Sequence, residues 1–469
     1  MPRLRTATAS LNSTICIGRT VIGVHKPGYF DERELRSGLS GAAVSVGPDT
    51  EPVTLNLVPQ GVIYGHIQTA SGEPIEGIRL KLMSQRIVQG RKQWQESGGA
   101  STNEDGDFRI ASLVPGTYYL AVEPSEGVNE PGNRGYTAAF YPGVADLASA
   151  TPIEISAGQQ VDADLSLRPS PMFKVSGTLT GFTAGGGLNL DFVDQLGNRF
   201  SLLKTFDFRT GQFVAEVPAG SYRLQYTEWT PDGRQAQAEM PLDVRSDVSG
   251  VSLSPPQTLP VPVLVRTETT KPENMLSSAR ASTGLLSIRL RRADDMFNQF
   301  ENWSNTQGSP PSLQISNLMP GEYSVEIQTG SPWYVQSAHC GTTDLLVDAL
   351  TVTAGAQPPP IEITLRDDSA SLTAHVGRVQ AQTSGRVLLL LIPEHGSSQI
   401  RSFNVAGGDE ISMADLPPGN YSVLAFDDAN QLEYSNPEVL DQYLSRAVHV
   451  TLQPAGQQQV TIDLINLSH

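Results

Sequence analysis

Apolar and polar residues alternate along several short segments of the chain, most clearly between residues 61 and 122. The alternating apolar positions there are Ile78, Leu80, Leu82, Phe108, Ile110, Tyr118, Leu120 and Val122. A period of two predicts β-strands with one buried face. Residues 83–102 are interpreted as a loop, and Asp105-Gly106 as a tight hairpin turn, because glycine accepts the positive φ that such turns need. Only residues 437–446 are expected to form a short helix.

A Pro-Gly-x-Tyr motif recurs through the chain and predicts a repeat. Its residues are Pro115, Gly116 and Tyr118; Gly220 and Tyr222; Pro320, Gly321 and Tyr323; and Pro418, Gly419 and Tyr421. The tyrosines are 98 to 104 residues apart, and Ala219 is inserted between proline and glycine in the second copy. This period fits whole β-sandwich domains in a row and is too long for a solenoid. Tyr118, Tyr323 and Tyr421 alternate with apolar neighbours, so we expect them to be buried, with hydroxyls bonded to nearby backbone.

Each repeat closes with a strand, a small turn and another strand, and these closing segments divide the chain into units. The joints between units are short and often contain proline, which makes them semi-rigid. The predicted fold class is all-β, as a tandem array of β-sandwich units. The predicted units are a partial sandwich at 1–58, truncated at its start, and complete sandwiches at 59–169, 170–258, 259–368 and 369–469.

One pattern in the second unit resembles a known family. It consists of Gly65-x-Ile67, Gly72-x-Pro74-Ile75-x-Gly77-Ile78-x-Leu80, Asp105-Gly106-x-Phe108-x-Ile110 and Leu113-x-Pro115-Gly116-x-Tyr118. This pattern resembles the carboxypeptidase regulatory-like domain of bacterial repeat proteins, most specifically over residues 61–122. The resemblance implies a prealbumin-like (transthyretin-like) seven-stranded β-sandwich in each unit, related to collagen-adhesin B-type repeats and to the starch-binding-like fold. It also implies a non-catalytic role as a secreted or envelope-attached spacer, an adhesion module or an accessory domain.

Charge and cysteine content narrow the function further. The net charge is −17, and so acidic a chain repels phosphate backbones, which argues against nucleic-acid binding. The two cysteines, Cys16 and Cys340, give neither a disulfide framework nor metal-ligand spacing. The chain contains no run of 18 apolar residues, so no transmembrane helix is predicted, and no signal peptide is visible. Composition alone leaves the compartment open, whereas the resemblance favours an extracellular or cell-envelope location. We expect a monomer.

The candidate catalytic and metal-binding patterns are incomplete. None of the seven histidines has a glutamate three positions later, so the His-x-x-Glu element of a zinc carboxypeptidase is missing. His339 and Cys340 are adjacent and would point to opposite faces of a strand, which disfavours a nucleophile–base pair. Residues 103–107 resemble a calcium loop but lack its terminal ligands, so a plain turn is preferred. Asp367-Asp368 and Asp427-Asp428 are interpreted as solvated loop charges. The sequence therefore predicts no enzyme activity, cofactor or metal.

The four tryptophans are the candidate ligand-binding residues. Trp94, Trp229 and Trp303 have polar neighbours and are interpreted as loop residues, and Trp333 is the fourth. An exposed indole ring can stack on a sugar through its apolar face. The alternative is that these rings fold back over the ends of the sandwiches.

Three functions remain open from the sequence. The first is a non-catalytic spacer and interaction scaffold, in which units in series form an extended acidic rod. The second is a carbohydrate-binding protein that uses the tryptophans. The third is an accessory segment of a larger enzyme or outer-membrane receptor. The expected partners are cell-surface polysaccharide or other envelope proteins.

Overall fold

A computed structural model shows an all-β chain. It describes residues 18–32, 35, 42–46, 54–126, 133–181, 187–194, 199–229, 235–254, 261–270, 286–292, 300–303, 305–307, 312–315, 318, 320–353, 356–377, 386–394, 400–406, 410–427 and 432–467. Among these residues, no helix has the length and apolar character needed to cross a membrane.

The first unit contributes two short strand pairs. Its strands are β1 (Gly18–Ile22), β2 (Tyr29–Asp31), β3 (Ala42–Val46) and β4 (Leu57–Pro59). Strand β1 pairs antiparallel with β3, and β2 pairs antiparallel with β4.

The second unit is a sandwich of two sheets. Its strands are β5 (Gly61–Thr69), β6 (Arg79–Val88), β7 (Arg91–Ser101), β8 (Asp107–Leu113), β9 (Gly116–Val122), β10 (Ser125–Glu126), β11 (Arg134–Tyr136), β12 (Ala139–Phe140), β13 (Ile153–Ile155), β14 (Gln160–Asp162) and β15 (Leu165–Leu167), with a 3-10 helix at Leu147–Ser149. In one sheet, β5 lies between antiparallel β8 and parallel β14 and β15. In the other, β6 lies between β7 and β9, and β12 and β13 continue beyond β9. If each interrupted edge strand is counted once, this is a seven-stranded sandwich.

The third unit repeats this topology. Its strands are β16 (Ser170–Leu179), β17 (Gly187–Val193), β18 (Arg199–Phe200), β19 (Leu203–Phe206), β20 (Gln212–Pro218), β21 (Gly220–Trp229), β22 (Gln235–Val244) and β23 (Val248–Leu253). Strand β16 pairs antiparallel with β20 and parallel with β23, while β21 lies between β17 and β22.

The fourth unit follows the same order with one added strand pair. Its strands are β24 (Val261–Glu268), β25 (Ser287–Arg292), β26 (Phe300–Trp303), β27 (Asn305–Gln307), β28 (Ser312–Ile315), β29 (Gly321–Gln328), β30 (Tyr334–Cys340), β31 (Thr343–Asp344), β32 (Leu350–Val352) and β33 (Ile361–Arg366). Strand β24 pairs antiparallel with β28 and parallel with β33. The added strand β30 extends this sheet beyond β33.

The fifth unit is the most regular copy and carries a helix. Its elements are β34 (Ala370–Gly377), β35 (Arg386–Pro393), β36 (Arg401–Ala406), β37 (Glu410–Leu416), β38 (Gly419–Phe426), α1 (Pro437–Leu444), β39 (Val448–Leu452) and β40 (Gln457–Ile465). Strand β34 pairs antiparallel with β37 and parallel with β40, and β38 lies between β35 and β39. Helix α1 has Asn436 as its N-cap, whose side chain accepts a hydrogen bond from the Glu438 amide.

Each complete unit has its own apolar core, formed by the inward-facing residues of its two sheets. Representative core residues are Ile63, Leu82, Leu120, Val175, Leu224, Ile288, Ile363, Leu372 and Val423. A further cluster in the fifth unit, including Tyr434 and Leu440, packs the helix and its preceding loop against the outer face of the β35–β38 sheet. The prediction of an all-β tandem array of sandwiches is therefore confirmed, whereas the exact unit boundaries stay a prediction.

Two local predictions are wrong. Residues 83–102 are not a loop, because β6 and β7 form a long antiparallel hairpin that turns at Gln89-Gly90. Asp105-Gly106 does form a turn, with Gly106 at φ +77°, but it is not a hairpin, since the following strand β8 pairs with β5 in the opposite sheet. The side chain of Asn103 fixes this corner by accepting hydrogen bonds from the Asp105 and Asp107 amides.

Candidate functional site

The Pro-Gly-x-Tyr motif forms the corner at which the chain enters a central strand of each complete sandwich. Strands β9, β21, β29 and β38 each begin at the motif glycine, namely Gly116, Gly220, Gly321 and Gly419. The Tyr118 hydroxyl donates to the Val114 carbonyl at 2.7 Å. Tyr222 and Tyr421 donate in the same way, four residues back, at 3.0 and 2.7 Å. Tyr323 is fully buried in its core. Burial raises the pKa of Tyr118, Tyr222 and Tyr421. The motif residues are thus placed for packing.

A small open recess lies beside the Tyr118 corner. It has a volume of about 270 Å³, and its polar lining includes Arg86, Gln95, Glu96, Ser97 and Ser112. The positive charge of Arg86 lowers the pKa of Tyr118, although burial of the ring outweighs this effect and the net shift is upward.

Three of the four tryptophan side chains are described, and each has a different environment. Trp94 lies on strand β7, not in a loop, and its ring packs edge-on against Tyr119 with centroids 5.1 Å apart. Trp333 is only 5% exposed in the core of the fourth unit and offers no ring face to a ligand. Trp229 ends β21 and is 45% exposed. Trp303 ends β26, and its side chain lies outside the described residues. The rings of Trp94, Trp229 and Trp333 lie in three different units and are not brought together.

His339 and Cys340 do not form a reactive pair. The Cys340 thiol is buried, and burial raises its pKa. The thiol donates to the Pro359 carbonyl at 3.3 Å. His339 on β30 lies opposite Asp344 on β31 in the antiparallel strand pair. Cys16 lies outside the described residues. No group of three or more His, Cys, Asp or Glu side chains suited to a metal ion occurs in the part of the chain that the structure describes.

The joint between the second and third units is a shared sheet. Strand β11 pairs antiparallel with the start of β16, so the third unit's sheet continues into residues of the second. The Arg134 guanidinium adds a hydrogen bond to the Pro169 carbonyl at 2.6 Å. Main-chain pairing across a joint restricts rotation of one unit against the next.

The joint between the third and fourth units is an ion pair. Arg292 on β25 donates to Glu239 on β22 at 2.8 Å. Arg223, on the neighbouring strand β21, lies 3.6 Å from the other carboxylate oxygen of Glu239. Glu239 therefore bridges two arginines, one from each unit.

The joint between the fourth and fifth units contains two buried acids that the sequence interpretation placed in solvent. Asp367 and Asp368 are each 7% exposed. Asp367 accepts hydrogen bonds from the Thr269 hydroxyl and the Thr270 amide. Asp368 accepts from the Tyr334 hydroxyl at 3.0 Å and forms a bidentate pair with Arg366.

Asp368 also links this acid pair to the fifth unit, because its carbonyl accepts from the Ala455 amide at 2.8 Å. The interpretation of Asp367-Asp368 as solvated charges is wrong, since both carboxylates are satisfied within the protein. Of the other predicted pair, Asp427 also accepts a main-chain hydrogen bond, from the Leu467 amide at 2.8 Å.

A further contact joins the second and fifth units, which are not neighbours in sequence. The Ser435 amide donates to the Gly90 carbonyl at 2.9 Å, and the Ser435 hydroxyl donates to the Gln89 carbonyl at 3.1 Å. The Tyr434 ring lies directly against Gly90. The array therefore folds back on itself, which differs from the extended series of units that the sequence favours.

Comparison with known proteins yields structural neighbours only. No family model and no curated protein matches the chain. Among solved structures, the Bacillus anthracis TIE protein is 10% identical, with 91% of this chain and 57% of that chain covered and a TM-score of 0.17. BcpA, the major pilin subunit of Bacillus cereus, is 10% identical, with 86% of this chain and 99% of that chain covered and a TM-score of 0.15.

GBS52, a minor pilin of Streptococcus agalactiae, is 13% identical, with 43% of this chain and 98% of that chain covered and a TM-score of 0.19. The chain thus spans 57% of the length of the TIE protein chain. The fold assignment rests on the strand pairing of the chain itself.

Proposed function

We propose that this chain is a non-catalytic array of carboxypeptidase regulatory-like β-sandwich units that serves as an interaction scaffold outside the cell or in its envelope. The proposal rests on the contacts at the joints between the units. A shared sheet, the Arg292–Glu239 ion pair and the hydrogen bond from the Ala455 amide to the Asp368 carbonyl each join one unit to the next. Repeated units with fixed joints hold their loops at defined relative positions, which is what a scaffold requires.

The folded-back arrangement favours the scaffold over a pure spacer. A spacer acts through its length, and the contact between Ser435 and Gly90 shortens the array. The net charge of −17 keeps the surface soluble and disfavours acidic partners. The partners that suit this surface are neutral polysaccharides or envelope proteins with basic patches.

Protease shaving of intact source cells tests the location and the role together. We expect an antibody against the chain to lose its signal after protease treatment of whole cells, while a cytoplasmic marker enzyme in the same sample survives. A chain that stays protected after the envelope is permeabilised, and is digested only when the cells are lysed, would contradict the proposal.

Trp229 favours a second candidate, carbohydrate binding. Its ring is exposed at the end of β21, where it can stack on a sugar without rearrangement of the core. Affinity electrophoresis against a polysaccharide panel tests this. Trp229→Ala should abolish retention by the polysaccharide. Phe208→Ala, which removes an exposed aromatic ring from the same unit, should leave retention unchanged. Equal retention of both variants, or no retention of the unaltered protein, would exclude the site.

A further inference from the structure

The tip of the β6–β7 hairpin is built as a rigid projection. Gln89 and Gly90 both have positive φ, at 50° and 71°, which is the backbone of a two-residue type I′ turn. Such a turn matches the right-handed twist of the two strands and holds them in register. The carbonyls of Gln89 and Gly90 accept hydrogen bonds from the fifth unit, so the tip presents main-chain acceptors at a fixed position.

The receiving surface on the fifth unit is fixed as well. Tyr434 is buried, and its hydroxyl donates to the Ser402 hydroxyl at 2.9 Å. Ser435 follows immediately, and Asn436 caps helix α1. The loop therefore lies between a core cluster and a capped helix, with the Ser435 amide directed at the second unit.

Glycine is required at the centre of this contact. A Cβ atom built at Gly90 would overlap the Tyr434 ring, which faces the turn. The ring is held by its own hydroxyl bond and by the surrounding core, so it cannot move aside freely. The close approach of turn and ring depends on the missing side chain as well as on the positive φ.

We propose that this contact is a latch that closes the array of units by joining the hairpin tip at residues 89–90 to the loop at residues 434–435. The three joints hold the second and fifth units close, which raises the effective concentration of the tip at the loop. The contact itself is small, so it opens without unfolding either unit. Opening frees the hairpin tip and exposes the Ser435 amide and the face of the Tyr434 ring, while the joints stay formed. The scaffold then has a closed state and an open one.

A matched pair of glycine variants in the full chain tests the latch. Gly90 and Gly77 have nearly equal φ values, 71° and 76°, so Gly90→Ala and Gly77→Ala impose the same backbone strain on turns of the same unit. A Cβ at Gly77 meets no atom within 4 Å, whereas a Cβ at Gly90 meets Tyr434. We expect Gly90→Ala to speed hydrogen exchange in the peptide containing Ser435 at least tenfold, and Gly77→Ala to leave it unchanged. Equal exchange in the two variants would overturn the proposal.

A disulfide trap shows whether the contact forms within one chain. Gln89→Cys and Ser435→Cys are introduced together with Cys16→Ser and Cys340→Ala, and the full chain is oxidised in dilute solution. A crosslink within the monomer, which migrates faster than the reduced chain on a denaturing gel, supports the latch. No crosslink, or crosslinked dimers only, overturns it. The latch gives the proposed scaffold two states but is tested on the purified chain, so its failure is distinct from failure of the shaving experiment.

Discussion

Arg292 in the fourth unit donates a hydrogen bond to Glu239 in the third unit at 2.8 Å, and its side chain is 9% exposed. Arg245 and Asp243 in the third unit form an ion pair of the same length, but the Arg245 side chain is 84% exposed. An exposed pair is screened by water, whereas removing one partner of a buried pair weakens the compensation of the other charge, and Glu239 would keep only Arg223, at 3.6 Å. The two pairs are therefore expected to contribute very differently, although their distances match.

Substitution at these two arginines tests whether the joint is stabilised by its ion pair. Arg292→Ala should destabilise the third and fourth units by roughly 1–3 kcal/mol, because Glu239 loses a buried donor. Arg245→Ala should change little. Hydrogen-exchange mass spectrometry on the full chain resolves peptides of each unit and measures both effects. Similar exchange in the two variants would mean that the joint depends on other contacts.

The corner tyrosine of the second unit makes two separable contributions. Tyr118→Phe removes only the hydroxyl group, with its bond to the Val114 carbonyl and its interaction with Arg86, and should cost about 1 kcal/mol. Tyr118→Ala also empties the ring's place in the core and should cost roughly 3–5 kcal/mol. Exchange rates in β9 peptides report both losses. A loss below about 1 kcal/mol for Tyr118→Ala would contradict the burial argument.

Alkaline pH should destabilise the protein through its buried tyrosines. Burial and the neighbouring Asp368 carboxylate raise the pKa of Tyr334 to about 12. An unfolded tyrosine ionises near pH 10, so the stability that this shift provides is complete below about pH 10 and is lost as the pH rises to about 12.

Tyrosinate absorbance of the folded chain checks this shift. A fraction of the 13 tyrosines should ionise late, and Tyr334→Phe should reduce that fraction. Simultaneous ionisation of every tyrosine near pH 10 in a chain that is still folded would exclude the shift.

Two glycines of the family-like pattern should respond differently to alanine. A Cβ at Gly65 would lie 2.8 Å from the Ala163 main chain, which cannot move without disturbing the parallel strands β14 and β15. Gly65→Ala should therefore cost roughly 1–3 kcal/mol through overpacking. At Gly116 the nearest atom is 3.9 Å away, so Gly116→Ala should be close to neutral. Hydrogen exchange in peptides of the second unit compares the two, and equal losses would contradict the steric explanation.

Alternation and the Pro-Gly-x-Tyr motif were sufficient to predict the sandwich units, because both report the local burial of strands. The β6–β7 hairpin was missed because its outer half, around Gln93 and Gln95, is polar and lacks alternation. Asp367 and Asp368 look like surface residues in the sequence, and only the approach of Tyr334 and Thr269 satisfies them. The contact of Gly90 with Ser435 joins residues 345 positions apart, a separation at which no local pattern is informative.

Small-angle X-ray scattering of the purified full chain tests the central claim that the units are held in a folded-back array. A compact chain of 469 residues has a radius of gyration of about 23 Å, whereas units in a straight series would give about 40 Å. We predict a radius of gyration between about 23 and 28 Å. Each of the four complete units has a radius of gyration of about 13 Å, and the units lie in a closed arrangement instead of a line. A value near 40 Å, with a distance distribution that extends in a long tail, would contradict the account.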